Sequence, residues 1–167
     1  MKKTIYLLVC FVGILLFASC ISLLPTTITR NAPLYGYKYF YVTPTSERNS
    51  VRGETYGHDG NVYGSTRSNS INPADLISGY MMAKGYVRVP EVKEKNAKQT
   101  MVINYGDGNM REGIFEERAV QVTIQILDGE NNELLVVCQA DAKDNNESMA
   151  IKNAIEKCLD EIFLKRP

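Results

Sequence analysis

The strongest constraint on the fold is a pair of alternating segments near the end of the sequence. In residues 119–127 and 134–142 every second residue is apolar, which is the pattern of strands that bury one face. Asp128-Gly129 and the polar residues after it are typical of a hairpin turn. The apolar positions are Val120, Val122, Ile124, Ile126, Leu134, Val136, Cys138, Ala140 and Ala142. These segments therefore predict an antiparallel hairpin.

A helix is predicted directly after this hairpin. Asp144 and Glu147 have the spacing of a capping box at its start. Apolar residues then recur at helical spacing, with charged residues on the opposite side. The apolar positions are Ile151, Ala154, Ile155, Cys158, Leu159 and Ile162. We expect this stripe to pack on the inward face of the hairpin, which brings Cys158 toward the sheet that carries Cys138.

Shorter elements are predicted earlier in the chain. Alternating tyrosines in residues 35–43 indicate a strand, and residues 86–89 and 100–105 indicate two more. Asn72-Pro73 has the pattern of a helix start, with Asn at the cap and Pro at the first helical position. The sequence thus predicts one α+β domain over residues 35–167. Its mixed, largely antiparallel sheet carries two helices on one face.

Residues 43–71 differ in composition from the rest of the domain. They are rich in Ser, Gly, Asn, Thr and Arg, and an Asp-Gly pair at residues 59–60 is typical of a turn. A protruding hairpin and a flexible loop both remain open. Long loops without a role are uncommon in compact domains. We therefore expect a partner to contact this segment, with Tyr56, His58 and Tyr63 as candidate contacts.

The first residues have the pattern of an export signal. Lys2 and Lys3 precede a short uncharged apolar stretch, and small residues stand before Cys20. Phe17-Ala18-Ser19-Cys20 resembles the lipobox of bacterial lipoproteins. The resemblance implies a diacylglyceryl group on Cys20, with residues 1–19 removed as the signal peptide. Residues 20–34 would then be a lipidated tether. An uncleaved helix is the alternative interpretation.

Charge and length exclude some functions. The chain has 19 basic and 19 acidic residues, and the only charged residues before Cys20 are Lys2 and Lys3, so the exported part is near neutral. No clustered basic stretch of the kind that nucleic-acid binders carry is visible. The 148 residues after Ser19 suit one domain with its own core. We expect no nucleic-acid partner.

Two cysteines, Cys138 and Cys158, remain after the signal segment and the lipid site. In an oxidising compartment they could pair as a disulfide. Both also lie at apolar-face positions, where free buried cysteines are common. The sequence leaves both alternatives open.

The residues of catalytic chemistry are scarce. His58 is the only histidine, and it lies beside Asp59 in the Gly-rich segment, with no visible nucleophile or oxyanion hole. One His with one Asp falls short of the three or four ligands of a zinc site. We expect no enzyme activity, no cofactor and no metal site.

The overall pattern resembles a family of small lipoproteins from Bacteroides-like bacteria. The matching segments are the lipobox, YKYFYV, the Tyr-Gly-rich segment, INPADLISGYMMAKGYVRVPEV, VINYGDG and the terminal hairpin with its helix. The order of elements is also loosely similar to the N-terminal domain of TolB and to the penicillin-binding-protein activators, which bind other envelope proteins.

These resemblances imply a lipid-anchored protein of the cell envelope. Its expected place is the outer membrane, facing the periplasm, and its expected role is non-enzymatic binding of an envelope protein or polymer. The alternatives are a hydrolase of peptidoglycan or another envelope glycan, and a lipoprotein that binds a small ligand.

Overall fold

The structure, a computed structural model, describes residues 22–58, 61–108, 110–112 and 117–163, and for residues 50–69 it describes the backbone only. The helices are α1 (Pro73–Ala83) and α2 (Glu147–Phe163), with a short 3-10 helix at Ala97–Gln99. The strands are β1 (Thr27–Arg30), β2 (Tyr39–Val42), β3 (Arg48–His58), β4 (Asn61–Ile71), β5 (Val87–Arg88), β6 (Thr100–Asp107), β7 (Arg111–Glu112), β8 (Arg118–Asp128) and β9 (Leu134–Asp144).

Seven of these strands form one mixed sheet. Its order is β1-β9-β8-β6-β2-β5, and β7 pairs with β8 off this path. β2 runs parallel to both β5 and β6, whereas the remaining pairs are antiparallel. β3 and β4 form a separate two-stranded sheet. The predicted α+β class, with a largely antiparallel sheet and two helices, is confirmed.

The terminal hairpin and α2 make up most of the core. β8 and β9 pair with Ile124 opposite Cys138 and Ile126 opposite Val136. The predicted inward residues of β8 are buried, as are the apolar residues of α2 that face them. Each large aliphatic side chain removed from water in this way contributes roughly 1.5–3 kcal/mol. The sheet, α1 and α2 share one core cluster.

The first helix begins and ends where its sequence signals predict. The Asn72 side chain accepts a hydrogen bond from the Ala74 amide at 3.0 Å, and Pro73 occupies the first turn. Ile77 and Met81 are fully buried against the sheet. Gly85 follows the helix with φ of 89°, a left-handed conformation that glycine adopts without strain.

The start of α2 differs in one detail from the capping-box prediction. The helix starts at Glu147, one residue after Asn146, whose side chain accepts from the Met149 amide at 3.3 Å. The Asp144 carboxylate instead accepts from the Asn146 amide at 3.0 Å. Asn146 is therefore the capping residue, and Asp144 stabilises the turn before it.

The prediction that residues 20–34 form a tether is wrong for most of the described part. Thr27–Arg30 is the edge strand β1, antiparallel to β9 with Thr27 opposite Gln139. The Arg30 guanidinium donates to the carbonyls of Glu161 and Ile162 at 2.8 and 2.9 Å, at the C-terminal end of α2. A positive charge at this end of a helix is favourable. β-Branched residues favour a strand here, and its partner lies far along the chain.

The hairpin alternative for residues 43–71 is confirmed for the backbone. β3 and β4 pair antiparallel over all 11 residues of each strand, from Arg48 opposite Ile71 to His58 opposite Asn61. The predicted turn at residues 59–60 lies outside the described residues. Most of the segment is thus a two-stranded ribbon and not a loop.

A substitution at Gly129 tests how tightly the β8–β9 turn packs against the start of β6 and the residues just before it. A Cβ at this position would lie 2.6 Å from the Thr100 carbonyl oxygen and 2.9 Å from that of Ala97. We expect Gly129→Ala to lower the free energy of unfolding by about 1–3 kcal/mol, because backbone atoms must move. Urea unfolding followed by circular dichroism measures this change.

The matched control is Gly79→Ala in α1, where a Cβ meets no atom within 4 Å. Alanine is the better helix former, so this variant should be more stable by about 0.5–1 kcal/mol. Equal stabilities for the two variants would contradict the packing described for the turn.

Candidate functional site

The two-stranded ribbon, called the arm here (β3 and β4, Arg48–Ile71), stands apart from the main sheet. Within the described chain no third strand pairs with it. At roughly 3.3 Å per residue, strands of 11 residues extend about 36 Å. Strand alternation and the register place positions 52, 56, 58, 63 and 67 on one face. The three predicted contact residues therefore share a face.

The base of the arm is fixed to the domain by polar contacts. The Arg48 guanidinium pairs with the Asp107 carboxylate at the end of β6. Just before the arm, the Thr45 hydroxyl donates to the Asn72 side chain at 2.9 Å and accepts from the Ala74 amide at 3.0 Å. The first turn of α1 and the end of β6 therefore determine where the arm leaves the domain.

Tyr105 lies close to this base. Its hydroxyl is buried and has no hydrogen-bond partner among the described residues. Burial raises the pKa of the Tyr105 phenol, and the nearby Asp107 carboxylate raises it further. The phenol therefore stays neutral at physiological pH, and the Tyr105 side chain packs against the core cluster.

A second polar cluster lies on the sheet face opposite the helices. The Asp141 side chain is 0% exposed and pairs with the Arg111 guanidinium of β7. The same Asp141 oxygen, Oδ2, accepts from the Leu24 amide at 2.7 Å. Arg111 also donates to the Ser22 carbonyl at 3.2 Å. These contacts, called the clamp here, hold the first described residues of the chain against β9.

The clamp contains one unsatisfied atom. Asp141 Oδ1 is buried and has no hydrogen-bond partner within the described part of the chain. A buried carboxylate requires a partner charge, so the Arg111 contact is necessary for its burial. Sequence reasoning missed this cluster, because Asp141 reads as an outward position of an alternating strand and its partners are distant in sequence.

Cys138 of β9 and Cys158 of α2 lie together in the core, as predicted. Both are 0% exposed, and both thiols are free. A hydrogen bond with Cys138 and burial raise the pKa of the Cys158 thiol. Of the two alternatives that the sequence left open, the structure contains the pair of free buried cysteines.

The other predicted site residues are only partly described. Cys20 lies outside the described residues, and so do the side chains of Tyr56, His58 and Tyr63. Among the described residues, no three or more His, Cys, Asp or Glu side chains are grouped as a metal site. Neither helix of the described part has the length and apolar character to cross a bilayer.

Burial of the two core thiols leads to a prediction on reactivity. In the mature folded protein we expect Cys138 and Cys158 to react with Ellman's reagent at least about 100-fold more slowly than in urea, since both side chains are 0% exposed and the reagent cannot reach them. Two thiols should appear on unfolding, and Cys138→Ala should leave one. If the two thiols of the unfolded protein react only after a reductant is added, the core contains a disulfide instead.

Comparisons with protein families and with curated proteins found no match for this sequence. Solved structures with a similar fold include the PelC dodecamer from Paraburkholderia phytofirmans, 16% identical, with a TM-score of 0.52 over 81% of this chain and 96% of that chain. A form of that dodecamer with one leucine replaced by methionine is 15% identical, with a TM-score of 0.51 over 83% and 98% of the two chains.

A PDZ domain protein from Parabacteroides distasonis aligns with a TM-score of 0.47 and 13% identity, over 87% of this chain and 37% of that chain. At the identities of the two PelC structures, the likeness concerns the fold alone. The chain therefore has an α+β fold similar to that of PelC.

Proposed function

We propose that this protein is a lipid-anchored domain of the bacterial cell envelope that binds an envelope protein or polymer through the arm and catalyses no reaction. Cys20 is its lipid attachment site, and the outer membrane, facing the periplasm, is its place. The observation that carries the proposal is the arm, an extended two-stranded sheet with which no strand of the main sheet pairs in the described part of the chain.

The backbone of the arm supports a binding role. A two-stranded hairpin alone is marginally stable in water, and it gains stability from a third strand or a covering surface. Each outer edge of the ribbon also presents unpaired N–H and C=O groups, which is how many proteins recognise an extended segment of a partner. An arm of this length is most readily explained by a partner that covers it.

The residues on one face of the arm support a polar partner. Tyr56 and Tyr63 are register partners, and so are Arg52 and Arg67. Tyrosine and arginine are enriched at the centres of binding interfaces. Like charges opposite one another weaken an isolated hairpin, so the arginine pair favours a partner that brings acidic groups or hydrogen-bond acceptors.

The start of the sequence supports the anchor. A positive n-region, a short apolar stretch and small residues before Cys20 have the pattern of a lipoprotein signal. Two or more acyl chains hold a protein stably on a bilayer, whereas one holds it only marginally. The resemblance to small lipoproteins of Bacteroides-like bacteria agrees with this location and stays a prediction.

Shortening the arm tests the binding role. Replacing residues 50–69 by Asn-Gly keeps the pairs Arg48–Ile71 and Asn49–Ser70 and closes them with a two-residue turn. We expect the variant to fold with an unchanged circular dichroism melt of the core, while partners no longer co-purify after crosslinking in the native envelope. An unfolded variant would show that the arm is structural.

Photo-crosslinking tests which face of the arm contacts the partner. A benzoyl-phenylalanine at position 56 or 63 should crosslink to the partner, whereas the same group at position 51 or 62, on the opposite face by register, should do so much less. Equal crosslinking from both faces would contradict a one-sided contact.

Mass spectrometry of the mature N-terminus tests the anchor. We expect the first retained residue to be Cys20 with added diacylglyceryl mass, and Cys20→Ser to abolish both cleavage and lipid. Cys10→Ser, in the apolar stretch of the signal, should keep both. An intact Met1 terminus or an unmodified Cys20 on the purified protein would refute the anchor.

A second copy of this chain is the other candidate partner. The structurally similar PelC forms a dodecamer, and the arm offers two free strand edges for self-association within the described chain. Crosslinks from position 56 or 63 to another copy of the same chain would favour this candidate over a different envelope component.

A further inference from the structure

The clamp lies very close in sequence to the proposed lipid site. Arg111 binds the carbonyl of Ser22, which is the second residue after Cys20, and Asp141 binds the amide of Leu24. This inference rests on the lipid attachment proposed above. It concerns how the domain is oriented once Cys20 is in the membrane.

Covalent geometry limits the distance between the clamp and the bilayer. Two residue steps of extended chain span at most about 7 Å, so Ser22 lies within that distance of the Cys20 Cα. A free tether of the predicted length, residues 20–34, would have an end-to-end distance of roughly 20 Å and would leave the domain free to rotate. The clamp removes that freedom.

Opening the clamp is energetically costly. The Asp141 side chain is 0% exposed, and losing Arg111 or the Leu24 amide would leave a buried charge without compensation. Immediately after the clamp, β1 adds backbone hydrogen bonds to β9 over Thr27–Arg30. The chain is thus continuously attached to the domain from Ser22 onward.

The surface around the clamp suits the boundary between headgroups and acyl chains. Leu23, Leu24 and Met110 are 38%, 47% and 42% exposed, so three large apolar side chains near the clamp are accessible to a bilayer. Arg111 stands next to Met110 and is 36% exposed. The Arg111 charge is balanced by Asp141, so it is the exposed apolar side chains of this corner that favour the boundary with the acyl chains.

We propose that this N-terminal corner (Ser22–Leu24, Met110 and Arg111) contacts the bilayer directly, so that the domain has one fixed orientation on the membrane. The base of the arm is at the same end of the sheet as the clamp. Asp107, which holds the base of the arm, is opposite Val122 on β8, and the adjacent residue Gln121 is opposite Asp141 of the clamp. The arm therefore leaves the domain near the membrane surface, and its partner is met there.

Tryptophan quenching tests the corner directly, since the chain contains no tryptophan. The lipidated full chain with Met110→Trp is reconstituted in phosphatidylethanolamine and phosphatidylglycerol vesicles, with or without brominated phosphatidylcholine. We expect brominated lipid to reduce its emission about two-fold or more, because the side chain lies at the acyl boundary. Met82→Trp, at a similarly exposed methionine in α1, should change little.

A ten-residue Gly-Ser insertion between Ile21 and Ser22 keeps the clamp and lengthens only the connection to the lipid. In this background the quenching of Met110→Trp should fall to the Met82→Trp level. Equal quenching at both positions, or quenching that survives the insertion, overturns the fixed orientation. The lipid mass on Cys20 is measured in every sample, so lipidated protein without quenching overturns the corner alone, and protein without lipid overturns the anchor as well.

Discussion

The packing of α2 on the β8–β9 hairpin is the interaction on which the rest of the structure depends. Alternation in the two strands gives a continuous apolar face, and the helix covers it with a stripe of matching width. β6 and β1 then extend the sheet on either side of this hairpin. The core cysteines Cys138 and Cys158 meet at the centre of this contact, which explains why neither is accessible.

The two faces of the sheet have different roles. Helices close one face, so little space remains there for a partner. On the other face, polar side chains surround the clamp, and Asp141 is buried only because the N-terminal segment and Arg111 cover it. The base of the arm and the N-terminal corner lie at the same end of the sheet, and the strands of the arm also contact α2.

Local signals allowed the larger elements to be predicted from sequence. The alternating hairpin, the stripe of α2 and the Asn72-Pro73 start of α1 depend on neighbouring residues, and the structure contains all three. β1 was not predicted, because its four residues form a strand only when β9 is beside them. The arm stayed ambiguous because neither of its faces is apolar enough to reveal a period.

The candidate site was less predictable for the same physical reason. The clamp joins backbone atoms of Ser22 and Leu24 to side chains far along the chain, and backbone contacts leave no trace in residue type. A short local motif in the sequence predicts that Cys20 is a lipid site. It could not indicate that the chain is fixed to the sheet almost immediately afterwards.

The pairing of the first strand, β1, with the last strand, β9, has a consequence for the order in which the sheet forms. Leu24 and its partner Asp141 are separated by 117 residues, so this edge of the sheet closes only after nearly the whole chain is present. Pairings of such high contact order form late. If the chain is exported from its N-terminus and acylated at Cys20 as proposed, the stretch beside Cys20 stays accessible to modifying enzymes until β9 emerges, and final closure of the sheet follows acylation.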